Sequence, residues 1–203
     1  DFSNTNKSVA VHLSQGVNYV AEDKAKIVLA DDSIAIRSLG GDLKDEGSTI
    51  SLAKNSVAYQ LHGDFKDATL DIKPVIRLGD ASANNIIYDI RGVDLNQSNQ
   101  ANLSVKAVQQ SKPASNSFVL LSLSKDGAKH TVSDAVTLEN VQNGVFASLQ
   151  DQTELTLKEQ VTINGKHNAG VILRGDNTAH LKMEGAAQLN VKGEDVVALY
   201  LDG

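Results

Sequence analysis

The chain has 203 residues, a formal net charge of −6, no cysteine and only 4% aromatic residues. Without cysteine there are no disulfides, thiolate zinc sites or thiol nucleophiles. The scattered basic residues give no electrostatic footprint for nucleic acid or anionic lipid, so neither is an expected partner. No stretch is apolar for long enough to cross a membrane as a helix, so this segment is not expected to insert into one.

In chain order, an alternating apolar phrase returns eight times. It reads Val9-Val11-Leu13, Ile34-Ile36, Val57-Tyr59-Leu61 and Ile86-Tyr88-Ile90 in the first half. Val119-Leu121-Leu123, Val145-Ala147-Leu149, Val171-Leu173 and Val197-Leu199-Leu201 follow in the second. Alternation places every second side chain on one face of an extended strand, and return at about 22 to 33 residues is the spacing of a stacked solenoid. A shorter apolar-x-apolar phrase precedes each main one, as in Ile27-Leu29, Ile50-Leu52, Leu70-Ile72, Leu103-Val105, Val136-Leu138, Leu155-Leu157 and Leu181-Met183. Ile76-Leu78, Val161-Ile163 and Leu189-Val191 supply a third.

No window keeps helical spacing over three turns. The expected fold is therefore all-β, a right-handed parallel β-helix of about eight coils with three short strands per coil, its hand following the general preference of crossovers. Residues 1–203 read as a single β-helix segment, with a loop excursion at 94–116, a polar stretch interrupted by Pro113. The chain opens at Asp1 without an apolar leader and stops directly after a strand at Leu201-Asp202-Gly203. Solenoids need polar caps, so the expectation is a segment of a longer rod.

The phrases Asn55-Ser56-Val57-Ala58-Tyr59-Gln60-Leu61, Asn168-Ala169-Gly170-Val171-Ile172-Leu173 and Asp195-Val196-Val197-Ala198-Leu199-Tyr200-Leu201 resemble the coil strands of autotransporter passenger domains, the pertactin-like β-helices of type V secretion. Gln188-Leu189-Asn190-Val191 resembles the strand that often comes before them. The resemblance implies export across the outer membrane of a Gram-negative bacterium and display on, or release from, the cell surface. It also implies roles in adhesion, autoaggregation, biofilm or virulence, and it accounts for the missing cysteines, since disulfides obstruct passage through the export pore.

Several residues carry candidate chemistry. Arg174-Gly175-Asp176 has the form of a receptor-binding tripeptide, presenting a cation and a carboxylate on a turn. Gly-Asp turns also recur after Leu39, Leu61 and Leu78, so turn chemistry explains part of it. A glycan-cleaving β-helix would need stacked carboxylates beside a cation, for which Asp64, Asp67, Asp71 and Asp89 with Arg77 and Arg91 are the candidates. Alternation directs Asp71 and Asp89 outward, as on any solvated face.

The histidines, His12, His62, His130, His167 and His180, have no metal-ligand spacing and read as outward or turn residues. His130, Ser133 and Asp134 are hydrolase residue types too close in sequence to form a triad. No catalytic, metal or cofactor residues are therefore assigned, and no cofactor is expected.

What remains is the outer surface of the stack. Ser51, Asp71, Ser104, Thr137, Thr156, Lys182 and Asn190 are outward positions suited to repeated weak hydrogen bonds. The reading is an adhesin or self-association module and not an enzyme. Its partner would be a host-cell receptor or glycan, or the same protein on a neighbouring cell. The alternatives are a structural stalk carrying another effector domain and a β-helix polysaccharide lyase or hydrolase.

Overall fold

A strand of three to eight residues cannot bury its apolar face alone, so the repeats of this chain stack into a parallel β-solenoid. The computed structural model describes residues 7–150, 152–175 and 178–202. Numbered in chain order, the eight main phrases form one continuous parallel sheet. Its strands are β1 (Val9–Leu13), β4 (Ile34–Gly40), β7 (Val57–Asp64), β10 (Asn85–Arg91), β13 (Phe118–Ser124), β16 (Gly144–Leu149), β19 (Ala169–Arg174) and β22 (Val197–Asp202). The phrases are in register: Val11, Ile36, Tyr59, Tyr88, Leu121, Ala147, Val171 and Leu199 oppose one another in turn.

The second strand of each coil belongs to one of two sheets. The first holds β2 (Tyr19–Ala21), β5 (Leu43–Asp45), β8 (Thr69–Ile72) and β11 (Gln100–Leu103), and the next holds β14 (Lys129–Val132), β17 (Glu154–Leu157) and β20 (His180–Met183). The third strands divide likewise into β3 (Lys26–Val28), β6 (Thr49–Leu52), β9 (Val75–Leu78) and β12 (Ala107–Gln110), then β15 (Val136–Gln142), β18 (Gln160–Lys166) and β21 (Gln188–Glu194). The described residues thus make seven turns of three strands and the opening strand of an eighth.

The corner before each main strand explains the polar residue that precedes the apolar phrase. Asp32, Asn55, Asn84, Asn143, His167 and Asp195 all adopt φ between 51° and 57°, a left-handed conformation that Asn and Asp tolerate best. The next residue turns inward, where Ser33, Ser56, Asn85 and Asn168 are buried. Each answers a backbone donor of the preceding coil: Ser33 N donates to Ser56 Oγ at 3.3 Å, Ser56 N to Asn85 Oδ1 at 3.1 Å and Gly144 N to Asn168 Oδ1 at 2.9 Å. A buried N–H left without such a partner costs about 1–3 kcal/mol, so this interior ladder is part of what fixes the coil corners.

The core is aliphatic, with Phe65, Phe118 and Phe146 buried in it and Tyr59 stacked on Tyr88 at 5.6 Å between centroids. Both tyrosines bring a hydroxyl inside. Tyr88 Oη donates to the carbonyls of Ile72, at 3.0 Å, and Ser104. Tyr59 Oη donates to the carboxylate of Asp45, which is 1% exposed and also accepts from Gly47 N at 2.9 Å, Ser48 N at 2.7 Å and Ser48 Oγ.

The stacking is interrupted once among the described residues. Ile86 and Val119 are register partners 33 residues apart, against 26 for Val119 and Val145. The extra length lies in a 3-10 turn at Leu95–Gln97 and in residues 111–117. β11 and β12 nevertheless pair in full with β8 and β9, so the excursion expected over 94–116 is a regular coil with two local insertions. The consequence is on the far side: β11 does not pair with β14, nor β12 with β15, and only the long sheet runs through.

Candidate functional site

The outer face of the long sheet is built by the residue between the second and third apolar positions of each main phrase. His12, Arg37, Gln60, Asp89, Ser122, Ser148, Ile172 and Tyr200 are register partners in sequence, a row that crosses every strand of the sheet. Its first half is cross-linked. Arg37 Nε donates to Gln60 Oε1 at 2.7 Å, Gln60 Nε2 to Asp89 Oδ2 at 3.0 Å, and Arg91 Nε to the same carboxylate oxygen at 2.6 Å. Asp89 therefore differs from its expected role on a solvated face, being only 1% exposed under these donors. Charge-assisted bonds between coils hold the row rigid.

The seven outward residues singled out from the sequence do not share one face. Ser51 opposes Arg77 on the β6–β9 pair, and Asp71 lies on β8 with its carboxylate 2.9 Å from Lys73 Nζ. Ser104 follows β11 and accepts the Tyr88 hydroxyl with its carbonyl. Thr156 opposes Lys182 across β17 and β20, although Thr156 is buried and Lys182 is tied to Glu154 at 2.7 Å. Thr137 and Asn190 share a row through Thr162 on β15, β18 and β21. Two short rows result, on different sheets, because the short second and third strands look alike in sequence and only the corners decide which sheet each joins.

Arg174, the first residue of the Arg-Gly-Asp tripeptide, ends β19. Arg174 Nη1 lies 3.9 Å from Asp202 Oδ2, and Gly175 N donates to Asp202 O at 3.0 Å. Asp176 lies outside the described residues. Asp64, Asp67, Asp71 and Asp89 are not gathered with one another, and no group of three or more His, Asp or Glu side chains among the described residues could hold a metal.

The break between β11 and β14 opens a cleft of about 410 Å³. One wall is the 3-10 turn and β11, with Asn96, Ser98, Asn99, Gln100 and Asn102; the other is β14 and its following turn, with Thr131, Ser133 and Asp134, and Lys158 at the rim. His130 lines the cleft from β14. It faces inward, aligned with the core residue Leu155, and is 1% exposed, contrary to the expectation of an outward or turn position. Its Nδ1 has no hydrogen-bond partner among the described residues, and burial pushes its pKa down to about 4, so the ring is neutral near pH 7. The sequence carries a trace of this: His130 stands two residues before Val132, in the apolar slot of a short strand.

Compared with family models, with curated proteins and with solved structures, the chain matches none. The fold by itself defines the class as a parallel β-solenoid, compatible with a pertactin-like β-helix.

Proposed function

We propose that the chain is a rod segment of a surface-displayed or secreted bacterial adhesin or self-association module, of the autotransporter passenger kind, that binds by its side. The observation that carries this reading is the row from His12 to Tyr200 along a continuous sheet, one residue per coil, of which all but the buried Gln60 and Asp89 reach the surface. Repetition at a fixed spacing turns weak contacts into avidity, provided the partner presents its groups at a matching interval. A second copy of the same rod on a neighbouring cell does so by construction, and so does a host glycan or receptor with repeated hydrogen-bonding groups. The reading assigns no catalysis, no metal and no cofactor to this segment. The export route, and the location outside the outer membrane, rest on the strand phrases that resemble passenger domains.

The test is cell settling with the rod displayed on a bacterial surface. Ser122→Glu together with Ser148→Glu adds carboxylates to the middle of the row in a chain already at −6, and like charges facing one another are repulsive. Loss of settling or of host-cell attachment, with surface display unchanged, is the expected result. Undiminished settling and attachment would reject the row as the contact and favour a stalk. For the tripeptide, Asp176→Glu is expected to leave attachment unaltered.

A further inference from the structure

We infer that the cleft between β11 and β14 is a binding site for a short neutral glycan. This goes beyond the rod reading, since it concerns a different face and stands whether or not the rod is displayed on a cell. Its volume, about 410 Å³, falls in the range of small-molecule clefts, roughly 300–1,000 Å³.

The chemistry of the lining selects the ligand. Among the described residues, the side chains of Gln100, Asn102, Ser133, Asp134 and Lys158 line the cleft without an internal hydrogen bond or ion pair. Amides and hydroxyls of this kind both donate and accept, which matches the hydroxyl groups of a sugar, themselves donors and acceptors at once. Buried Leu95, Leu103, Val132 and Val136 supply an apolar floor for the C–H face of a pyranose ring.

His130 strengthens the assignment. A buried polar atom without a partner is costly, and its Nδ1 is such an atom at the wall of the cleft. As a neutral imidazole it offers a donor or an acceptor to a sugar hydroxyl without attracting ions. Charge balance points the same way, because the lining holds one carboxylate, Asp134, and one ammonium, Lys158. An acidic polysaccharide would need a surplus of cations. A peptide adding as a strand fits less well, since the start of β14 is already occupied: Lys129 N donates to Val93 O at 2.9 Å.

The test is titration of the isotope-labelled chain with chitotriose, cellotriose and maltotriose, followed by NMR amide shifts, with trigalacturonate as the anionic comparison. At least one neutral trisaccharide is expected to give saturable shifts at residues 96–103 and 130–134, with Ser122 and Ser148 unmoved. Asn102→Leu and Ser133→Leu are each expected to weaken that binding about tenfold or more, equivalent to about 1.4 kcal/mol, with the rest of the spectrum unchanged. Lack of saturable shifts with every neutral sugar, shifts with trigalacturonate alone, shifts centred on the long-sheet row, or undiminished binding by both variants overturns the assignment. Binding in the cleft with normal settling by the Ser122 and Ser148 variant would leave this site standing and reject the row.

Discussion

The ring of Phe118 occupies the space that a side chain on Gly144 would need. The two are register partners on β13 and β16, and a Cβ on Gly144 would lie 2.8 Å from Phe118 Cζ and 3.3 Å from Asn168 Oδ1. They hold the position in the corner ladder that Ser33, Ser56, Asn85 and Asn168 fill in other coils. One large and one absent side chain thus replace two small polar ones. Gly144→Ala is expected to cost about 1–3 kcal/mol through overpacking, and Phe118→Ser is expected to relieve most of that increment. Denaturant midpoints of the single and double variants measure the coupling; equal costs of Gly144→Ala in both backgrounds would refute it.

His130 makes stability depend on pH. The folded-state pKa is depressed by burial to about 4, below the ordinary value of 6.5. The unfolded chain therefore binds the proton first, and the contribution is complete above about pH 6.5 and lost as pH falls toward 4. The shift corresponds to something on the order of 3 kcal/mol between those limits. His130→Leu, which matches the core partner Leu155, is expected to flatten the stability profile between pH 4 and 6.5. An unchanged slope would place the acid sensitivity elsewhere.

Asp45 and Tyr59 form a buried pair in which the phenol donates to the carboxylate. Tyr59→Phe removes that donor and leaves the carboxylate to Gly47 and Ser48, at an expected cost of about 1–3 kcal/mol. Tyr19 is affected from the other direction: burial first, and then the charge of Asp45, push its pKa up to about 12. The folded state holds the phenol proton more tightly, so this contribution is present below about pH 10 and lost as pH rises toward 12. Alkaline unfolding followed by ultraviolet absorbance is expected to come earlier in Tyr59→Phe than in the parent chain.

The break in the stacking is expected to appear in hydrogen exchange. Thr131 and Thr156 are register partners, but β17 is flanked by strands on both sides and β14 on one only. The Thr131 amide is expected to exchange at least about tenfold faster than that of Thr156, because exposed edges open locally. Equal protection of the two would mean that the seam is closed in solution.

The main strands were legible because most of each has a period of two with large buried residues such as Tyr59 and Leu61, although at the start of the strand it is Ala58 and not Val57 that is buried. β2, β5, β12 and β14 were not, since Leu43-Lys44-Asp45 or Lys129-His130-Thr131 has no apolar alternation to read. Their strand character comes from the neighbouring coils, which supply the backbone partners and impose register. The outward row was present as the residue inside each main phrase, polar in all but Ile172, yet its continuity depends on pairing between residues about 25 apart. The cleft had no signal of its own. It exists because one coil is longer than the next, and the two cannot superimpose their second and third strands.

The sequence by itself determined the parallel solenoid and the three strands per coil, because alternation and spacing are local properties of the chain; it misplaced the start of the main strands, where Ala35, Ala58, Ile87, Leu120 and Phe146 are buried and the preceding Ile34, Val57, Ile86, Val119 and Val145 stay partly exposed. Only the tertiary structure decided which outward residues share a face, that Asp89 and His130 are buried, and that the side sheets stop between β11 and β14. Those facts depend on how successive coils superimpose, which is set by corner geometry and by coil lengths in relation to each other.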